Sequence, residues 1–275
     1  FIRRHRDRPF FACLAYYDIH TPIIAERKYE AHYNRKAAML GPSPRPITEH
    51  DGRSRPRQDN AALASMVQAV DDSVGDLVQH LGSLGILENT YIFFFSDNGG
   101  LCTKRGVGPG CNLPLRASKG WLYEGGIRVP LIVRMPTRKS AGLQPTAPVL
   151  STDIYPTLLS LSGLPLRPEQ HLDGRSFVDL LNGKIQASGS RTLYWHYPHY
   201  HGSMWTPGAA IRKDNWKLIQ FYHFNKVELY NLREDLGEST DLSRVHPRIT
   251  ESLLDDLKNW QKQLGASIPV VPPSD

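Results

Sequence analysis

The stretch that decides the fold is Tyr91-Ile-Phe-Phe-Phe-Ser-Asp-Asn-Gly-Gly100, an apolar run that passes directly into a polar, glycine-rich turn. A short, fully apolar run is typical of a strand buried on both faces of a sheet. Between Leu63 and Leu81, apolar residues recur at helical spacing before Gly82 and Gly85, which predicts an amphipathic helix. A helix followed by a buried strand predicts an α/β domain with a mostly parallel central sheet flanked by helices.

Further elements are predicted on both sides of this stretch. The apolar residues Phe10–Tyr17 indicate a buried strand that opens into a loop carrying His20. Val129–Arg134 is predicted as a second buried strand, and Ser151–Ser162 as a helix. The segment 41–60 is rich in Pro, Arg and Gly without periodicity, so we expect an exposed loop.

The last third of the chain has a different pattern. Short aromatic and charged strands are predicted at 209–211, 216–222 and 228–231, and a helix at Pro247–Leu264. We therefore predict a small C-terminal antiparallel sheet closed by a helix. The predicted domains are residues 1–190, the α/β part, and 191–275, a small α+β part.

Composition excludes several classes of protein. The chain has 275 residues and a formal net charge of +6, and no apolar run approaches the roughly 20 residues of a membrane-spanning helix. Basic residues are scattered except in Arg3–Arg8 and Arg53–Arg57. No zinc-finger spacing or RNA-binding signature occurs, so nucleic acid is not an expected partner. The three cysteines form no disulfide scaffold, although Cys102 and Cys111 lie close enough in sequence to pair.

The turn after the central strand carries two oxygen-bearing side chains. Asp97 and Asn98 offer hard oxygen ligands, which suit calcium or magnesium. Taken alone, Asp-Asn-Gly is more often a structural turn. The context favours the metal, because Ser118-Lys-Gly-Trp-Leu-Tyr-Glu-Gly-Gly-Ile-Arg-Val-Pro130 follows shortly after.

Together these motifs closely resemble those of the type I, formylglycine-dependent sulfatases of the alkaline phosphatase superfamily. The resemblance continues over essentially the whole chain, through the segments 20–22, 153–159, 172–176, 210–219 and 228–232. It implies an alkaline phosphatase-like fold and sulfuric-ester hydrolysis. Because the chain opens on Phe1 and lacks the family's N-terminal motifs, we expect it to be a C-terminal portion that is inactive alone.

Residue by residue, the resemblance implies that Asp97 and Asn98 bind Ca²⁺, with Mg²⁺ as an alternative. Lys119 would hold a sulfate oxygen, and His20 would hydrogen-bond the sulfate or its bridging oxygen. Such groups stabilise charge on the non-bridging oxygens and supply a proton to the leaving alkoxide. Without the motif, Lys119 would be read as a surface lysine and His20 as a strand-end histidine bonded to a backbone carbonyl.

A histidine-rich segment, Trp195-His-Tyr-Pro-His-Tyr-His201, is predicted to be a loop at the mouth of the substrate site. His196 and His199 are its candidate sugar contacts, and Arg116 is a weaker candidate for the same rim. A transition-metal site is the alternative for the three imidazoles. Glu124 and Arg128 are assigned to no site, because a buried ion pair that shapes the loop is an equally good reading.

The nucleophile is expected elsewhere. Family members carry a Cys-x-Pro/Ala-x-Arg motif whose cysteine becomes formylglycine, and none of Cys13, Cys102 and Cys111 matches it. The basic segment Arg53–Arg57 and the histidine-rich rim favour a sulfated saccharide as substrate. The alternatives are a phosphate or phosphonate hydrolase of the same superfamily and an inactive protein that binds sulfated glycans. The resemblance implies a secreted, periplasmic or lysosome-like location.

Overall fold

A computed structural model describes residues 1–136, 141–184 and 191–270. These residues form two compact units, each assembled from separate segments of the chain. Of the described residues, 1–14, 73–97, 130–136 and 141–184 belong to the first unit, and 15–72, 98–129 and 191–270 belong to the second. The domain boundary proposed from the sequence at 190/191 stays a prediction.

The predicted amphipathic helix is present as α3 (Ala61–Ser83), and Gly85 follows it with φ +72°. It is preceded by α1 (Ile2–His5) and α2 (Arg27–Ala38). The strands β1 (Ile47–Glu49) and β2 (Gly52–Ser54) lie between α2 and α3. The prediction of an exposed loop over 41–60 is therefore wrong for this hairpin, in which Glu49, Gly52 and Ser54 are buried.

The central apolar run forms β3 (Ile92–Phe95), which pairs with β5 (Leu131–Arg134). The pair is antiparallel, with Phe94 opposite Ile132. A mostly parallel central sheet is therefore not confirmed, because every strand pair in the described ranges is antiparallel. Parallel pairing needs a crossover connection, and the chain between these two strands instead returns to the same end of the pair.

The predicted strand over Phe10–Tyr17 is also wrong. The structure gives this segment no regular secondary structure, and residues 11–17 are exposed. A strand needs a neighbour to satisfy its backbone hydrogen-bonding groups, and no strand in the described part of the chain pairs with this one. Cys13, expected inside that strand, is an exposed thiol.

The predicted helix after residue 150 is present in the first unit. A 3₁₀ turn at Ser151–Asp153 leads into α5 (Ile154–Leu161), followed by Gly163 with φ +67°. The buried carboxylate of Asp153 accepts backbone N–H groups from Leu150 at 2.8 Å and Arg175 at 2.7 Å. This aspartate therefore fixes the start of α5, and α6 (Val178–Leu181) follows it in the chain.

The second unit contains the predicted C-terminal sheet. Its strands are β6 (Leu193–Tyr197), β7 (Gly208–Lys213), β8 (Trp216–Phe221) and β9 (Lys226–Asn231), all antiparallel and in sequential order. The helix α7 (Pro247–Gln263) packs Leu253 and Leu257 against one face. The first strand, β6, replaces part of the predicted histidine-rich loop, so His196 lies on a strand.

The other face of this sheet packs against the segment that carries the Ser118–Pro130 motif. Trp121 and Tyr123 join Trp205, Phe221 and Tyr230 in one buried cluster. The one-turn helix α4 (Glu124–Ile127) follows, and the short strand β4 (Thr103–Lys104) extends the β1–β2 hairpin. The motif segment therefore packs on this face of the sheet.

No helix in the described ranges is long and apolar enough to cross a membrane. The buried residues Cys102 and Cys111 are both free thiols, so the pairing considered from their spacing does not occur. Burial raises the pKa of Cys102, whose Sγ lies 2.9 Å from the carbonyl oxygen of Ala117. This cysteine is therefore a packed structural residue rather than a reactive one.

Candidate functional site

The site is built where the turn after β3 crosses the motif segment. Gly99 donates its backbone N–H to the carbonyl of Gly126 at 2.9 Å. A Cβ at Gly99 would overlap the neighbouring carbonyl of Gly125, so only glycine allows this approach. The Asp-Asn-Gly turn and the Glu-Gly-Gly turn are thus locked together by their backbones.

Asn112 reinforces this crossing and was not identified from the sequence. Its Nδ2 lies within hydrogen-bond distance of three carbonyl oxygens, at 2.7 Å from Gly100, 3.0 Å from Ala117 and 3.0 Å from Gly125. An asparagine between Cys111 and a Leu-Pro pair has no distinctive pattern, so only the folded contacts identify it as a positioning residue.

Lys119 lies in this framework. Its backbone N–H donates to the carbonyl of Gly100 at 3.2 Å, which fixes it beside the turn that carries Asn98. The residue is half-buried. In the described ranges, no hydrogen bond or ion pair involves its ammonium group, whereas several other lysines of the second unit are paired. Lys119 therefore offers a partly desolvated positive charge to an anionic ligand.

His201 lies directly against Gly120, the residue that follows Lys119. A Cβ at Gly120, which has φ +82°, would overlap the imidazole ring of His201. The backbone N–H of Ser203 donates to His201 Nδ1 at 3.1 Å, and Ser203 Oγ lies 2.7 Å from the same nitrogen. Since Nδ1 accepts, the neutral ring carries its proton on Nε2. The structure thus places an oriented imidazole donor against the backbone next to Lys119.

The turn that holds His201 is fixed by the core. Trp121 Nε1 donates to the carbonyl of Ser203 at 2.8 Å, and the His201 N–H donates to the carbonyl of Trp205 at 3.2 Å. Met204 adopts φ +73° within this turn. A non-glycine residue there is costly and often marks a functional turn. The sequence placed His201 in a histidine-rich cluster but did not single it out.

Burial and then the charge of Lys119 lower the pKa of His201. We expect Lys119→Met to raise this pKa, because the substitution removes the neighbouring positive charge while leaving the burial. A bound sulfate ion should raise it in the unsubstituted protein for the same electrostatic reason. An NMR titration of the His201 ring protons measures both effects. Lys104→Met, at an exposed lysine on β4, is the control, and an unchanged His201 titration in Lys119→Met would contradict the arrangement.

His20 lies on an exposed turn, where its Nδ1 is 2.8 Å from the carbonyl oxygen of Thr21. Because a carbonyl only accepts, Nδ1 carries the proton, and Nε2 of the neutral ring is an acceptor. Within the described residues, no hydrogen bond or ion pair joins His20 to Lys119. The role predicted for His20 stays a prediction.

In the described ranges, the contacts given for the predicted rim residues His196 and His199 do not include Lys119. His196 lies on β6, with its Nε2 3.0 Å from the Ser267 carbonyl of the C-terminal segment and its Nδ1 3.0 Å from the Tyr222 hydroxyl. His199 is exposed and meets the Tyr197 ring edge-on, with centroids 5.6 Å apart. Their contacts with a substrate stay predictions.

Arg116 is occupied by structural contacts. Its Nε lies 2.9 Å from Glu49 Oε2, and its Nη1 lies 3.1 Å from the Tyr230 hydroxyl and 2.8 Å from the Glu238 carbonyl. The guanidinium carbon also lies 4.1 Å from the centroid of the Tyr123 ring. Arg116 therefore joins the β1–β2 hairpin to the C-terminal sheet, and its predicted rim role is untested.

A buried ion cluster fixes the other end of the motif. Lys217 Nζ lies 2.9 Å from Glu124 Oε1 and 2.8 Å from Glu238 Oε1, and all three side chains are at most 2% exposed. Burial raises the pKa of Glu238. Burial opposes ionisation of Glu124 too, but Lys217 brings the pKa of Glu124 below its ordinary value. Arg128 adds a longer contact to Glu124 at 3.6 Å, so Glu124 has a loop-shaping role.

Asp97 and Asn98 follow β3 directly, the first exposed and the second half-buried. Their oxygens fit calcium in kind, but calcium takes about 6–8 oxygen ligands. Among the described residues, no group of three or more His, Cys, Asp or Glu side chains could hold a metal ion. The described chain therefore supplies only part of such a shell.

Comparison with known proteins identifies the family. The sulfatase family model matches residues 1–164, and the model of the C-terminal part of N-sulphoglucosamine sulphohydrolase matches residues 117–263. A curated sulfatase from Formosa agariphila is 34% identical over 89% of this chain and 44% of its own length.

Solved structures agree with this relationship. Ps i-CgsB, solved in complex with k-i-k-neocarrahexaose, has a TM-score of 0.66 at 30% identity, covering 88% of this chain and 47% of its own. BT4656, solved with its substrate D-glucosamine-2-N,6-O-disulfate, has a TM-score of 0.61 at 28% identity, covering 74% and 40%. The phosphonate monoester hydrolase of Agrobacterium radiobacter has a TM-score of 0.55 at 25% identity, covering 74% and 42%.

The chain spans less than half the length of each of these four proteins. The family model nevertheless covers more than half of the chain, and it includes the Asp-Asn-Gly turn and the Lys119 motif on which the site is built. The chain therefore belongs to the sulfatase family.

Proposed function

We propose that this chain carries part of the active site of a sulfuric-ester hydrolase that acts on sulfated saccharides. The observation that carries the proposal is the placement of Lys119, which is half-buried and without an ion-pair partner in the described ranges. It precedes Gly120, against which the oriented imidazole of His201 lies. A sulfate ester presents anionic, non-bridging oxygens. A desolvated ammonium and an adjacent N–H donor are the groups that stabilise them.

Within this proposal, Lys119 binds a sulfate oxygen and His20 donates a proton toward the bridging oxygen. His20 Nε2 must first gain that proton, because Nδ1–H already faces the Thr21 carbonyl. His201 contributes its Nε2–H to the sulfate or to the sugar that bears it. The proposal assigns no nucleophile to this chain, and the formylglycine expected for the family is part of the same hypothesis.

We also propose a calcium ion as the cofactor, with Asp97 and Asn98 as two of its ligands. When bound, the ion would supply positive charge to the sulfate oxygens. The remaining ligands are not found together in the described part of the chain, so these two residues account for a fraction of the shell. Magnesium is the second candidate, since it prefers the same oxygen donors.

A saccharide is the proposed substrate class because two similar proteins of known structure contain one. Two further readings remain as alternatives. Similarity to a phosphonate monoester hydrolase favours phosphorus chemistry as the first of them. An inactive protein that binds sulfated glycans through Lys119 is the second. The main proposal includes a secreted, periplasmic or lysosome-like location, as the resemblance to the family implies.

The experiment is to express the complete protein together with a formylglycine-generating enzyme. Sulfate release is then measured from an aryl sulfate and from sulfated mono- and disaccharides, with and without calcium. Phenylphosphonate and an aryl phosphate serve as parallel substrates. Sulfate release that depends on calcium supports the proposal. Faster turnover of the phosphorus esters would replace it with the first alternative, and tight binding of sulfated sugars without turnover would replace it with the second.

A further inference from the structure

A small cavity opens beside His201, on the second unit. This half-open cavity has a volume of about 200 Å³, whereas pockets for drug-sized ligands have volumes of about 300–1,000 Å³. Its size therefore suits one ring unit of a substrate. Among the residues that line it are Asp51, Tyr200, His201, Trp205, His223 and Phe224. His201 thus contacts both the cavity and the backbone next to Lys119.

The lining combines aromatic surface with polar groups. Tyr200 and Phe224 are large side chains with 65% and 45% of their surface exposed. The Tyr200 hydroxyl lies 3.2 Å from His223 Nδ1, which couples two walls of the cavity. Exposed aromatic surface beside hydrogen-bonding groups is typical of a ligand site. A pyranose has a matching chemistry, since its C–H face packs on aromatic rings and its hydroxyls hydrogen-bond to carboxylates.

Asp51 is placed in this cavity by a rigid turn. His50 and Asp51 form the two-residue loop between β1 and β2. His50 adopts φ +49°, which is unfavourable for a non-glycine residue. Packing holds the turn, because the His50 ring lies 5.0 Å from Phe221 and 5.4 Å from Trp121, and its Nε2 lies 3.2 Å from the Tyr123 hydroxyl. The Asp51 carboxylate is therefore presented by a fixed element.

We propose that this cavity binds the sugar unit linked to the sulfated unit, and that Asp51 selects for a neutral unit there. A second sulfate or a uronic acid carboxylate would meet the negative charge of Asp51, and like charges brought together at a binding site cost affinity. Hydroxyls of a neutral sugar instead donate to the same carboxylate. This inference rests on the proposed function, because the neighbouring unit is defined relative to a sulfate at Lys119.

The test compares three ligands by calorimetry on the complete protein. The first is a sulfated monosaccharide, either N-acetylglucosamine 6-sulfate or galactose 4-sulfate, whichever binds. The second is a disaccharide in which this sugar is linked to a neutral second unit. The third is the same disaccharide sulfated on that second unit. We expect the neutral unit to improve affinity about fivefold and the second sulfate to remove this gain. Tyr200→Ala and Phe224→Ala should each reduce the gain, with binding of the monosaccharide unchanged.

Asp51→Asn separates selection from packing. It should restore binding of the doubly sulfated disaccharide. Affinity for the disaccharide with the neutral second unit should fall by no more than the loss of one hydrogen bond would cause. Val227→Ala, a half-buried residue of β9 outside the cavity, is the matched control. If the sulfated monosaccharide binds in a Lys119-dependent way and the second unit adds nothing, the cavity proposal is overturned while the proposed function stands.

If no sulfated monosaccharide binds, the proposed function fails first. The cavity is then tested directly with lactose and cellobiose, by NMR magnetisation transfer from the Tyr200 and Phe224 rings to sugar protons. Transfer that is lost in Tyr200→Ala supports the cavity as a neutral-sugar site. An absence of transfer overturns it.

Discussion

Replacing Lys217 with methionine is expected to lower the free energy of unfolding by about 3–5 kcal/mol. Lys217 is fully buried and is the cation within 3 Å of both Glu124 and Glu238. Methionine retains much of the side-chain volume, so the effect comes from charge rather than from a cavity. Both carboxylates would then be buried without their main cation, and the Glu124–Ile127 turn of the site would lose its anchor on the sheet.

Urea denaturation of the protein and of this variant measures the effect. Lys213→Met is the matched control, since Lys213 lies on the neighbouring strand β7 and forms an exposed ion pair with Asp256 of α7. This substitution should change the unfolding midpoint far less. If Lys217→Met does not fold, Lys217→Met with Glu238→Gln should recover part of the stability, because it removes one unpaired buried charge. Equal effects of the two lysine substitutions would contradict the account.

The pH dependence of the Lys217→Met variant provides a second check. Without Lys217, the pKa values of both buried carboxylates should rise above the ordinary value of about 4.3 for glutamate. A carboxyl group whose folded pKa is raised costs stability as pH increases from its unfolded pKa through its folded pKa. The difference between the variant and the unsubstituted protein should therefore widen from pH 5 to pH 8.

Much of this fold was predictable where local sequence pattern decides the structure. The helix Ala61–Ser83 follows from apolar residues at helical spacing, and the closing helix Pro247–Gln263 from its leucine stripe and the proline at its start. The three strands between 208 and 231 lie where short aromatic and charged strands were predicted. In these elements, the spacing of apolar residues along the chain already indicates which side chains face the core.

Strand direction was not predictable in the same way. The run Ile92–Phe95 is apolar throughout, which is typical of a parallel sheet, yet it pairs antiparallel with Leu131–Arg134. Phe94, Phe95 and Ile132 are 38%, 43% and 62% exposed. An apolar run indicates a strand that can be buried, but not which neighbour covers it or in which direction that neighbour runs.

The residues of the site also differ in how far the sequence predicted them. The Lys119 motif was visible in the sequence, because its glycines and charged residues recur at fixed spacing in one family. His201 was not separable from His196 and His199, because what distinguishes it is its contact with Gly120 and the bond from Ser203. The pairing of Arg116 with Glu49 was not predictable from the sequence, because the two residues lie 67 positions apart.

Lys119→Ala is expected to lower kcat/KM for sulfate-ester hydrolysis by the complete protein about 10²–10³-fold. This is the usual cost of removing one group that stabilises developing charge in a desolvated site. Since no ion pair or hydrogen bond to the Lys119 ammonium occurs in the described ranges, the substitution leaves no buried partner unsatisfied. Stability should therefore change little while turnover falls, which a purely structural lysine would not produce.

The measurement pairs steady-state kinetics with thermal unfolding for Lys119→Ala, Lys119→Arg and the exposed control Lys104→Ala. Arginine keeps the charge but changes its geometry, so partial activity is expected there and full activity in the control. A double-mutant cycle with His201→Ala should show coupling, because the charge of Lys119 acts on the His201 ring, whose pKa it helps to lower after burial. Full activity in Lys119→Ala, or strictly additive losses with His201→Ala, would mean that the two groups do not act on one sulfate. Other residues would then have to bind the sulfate.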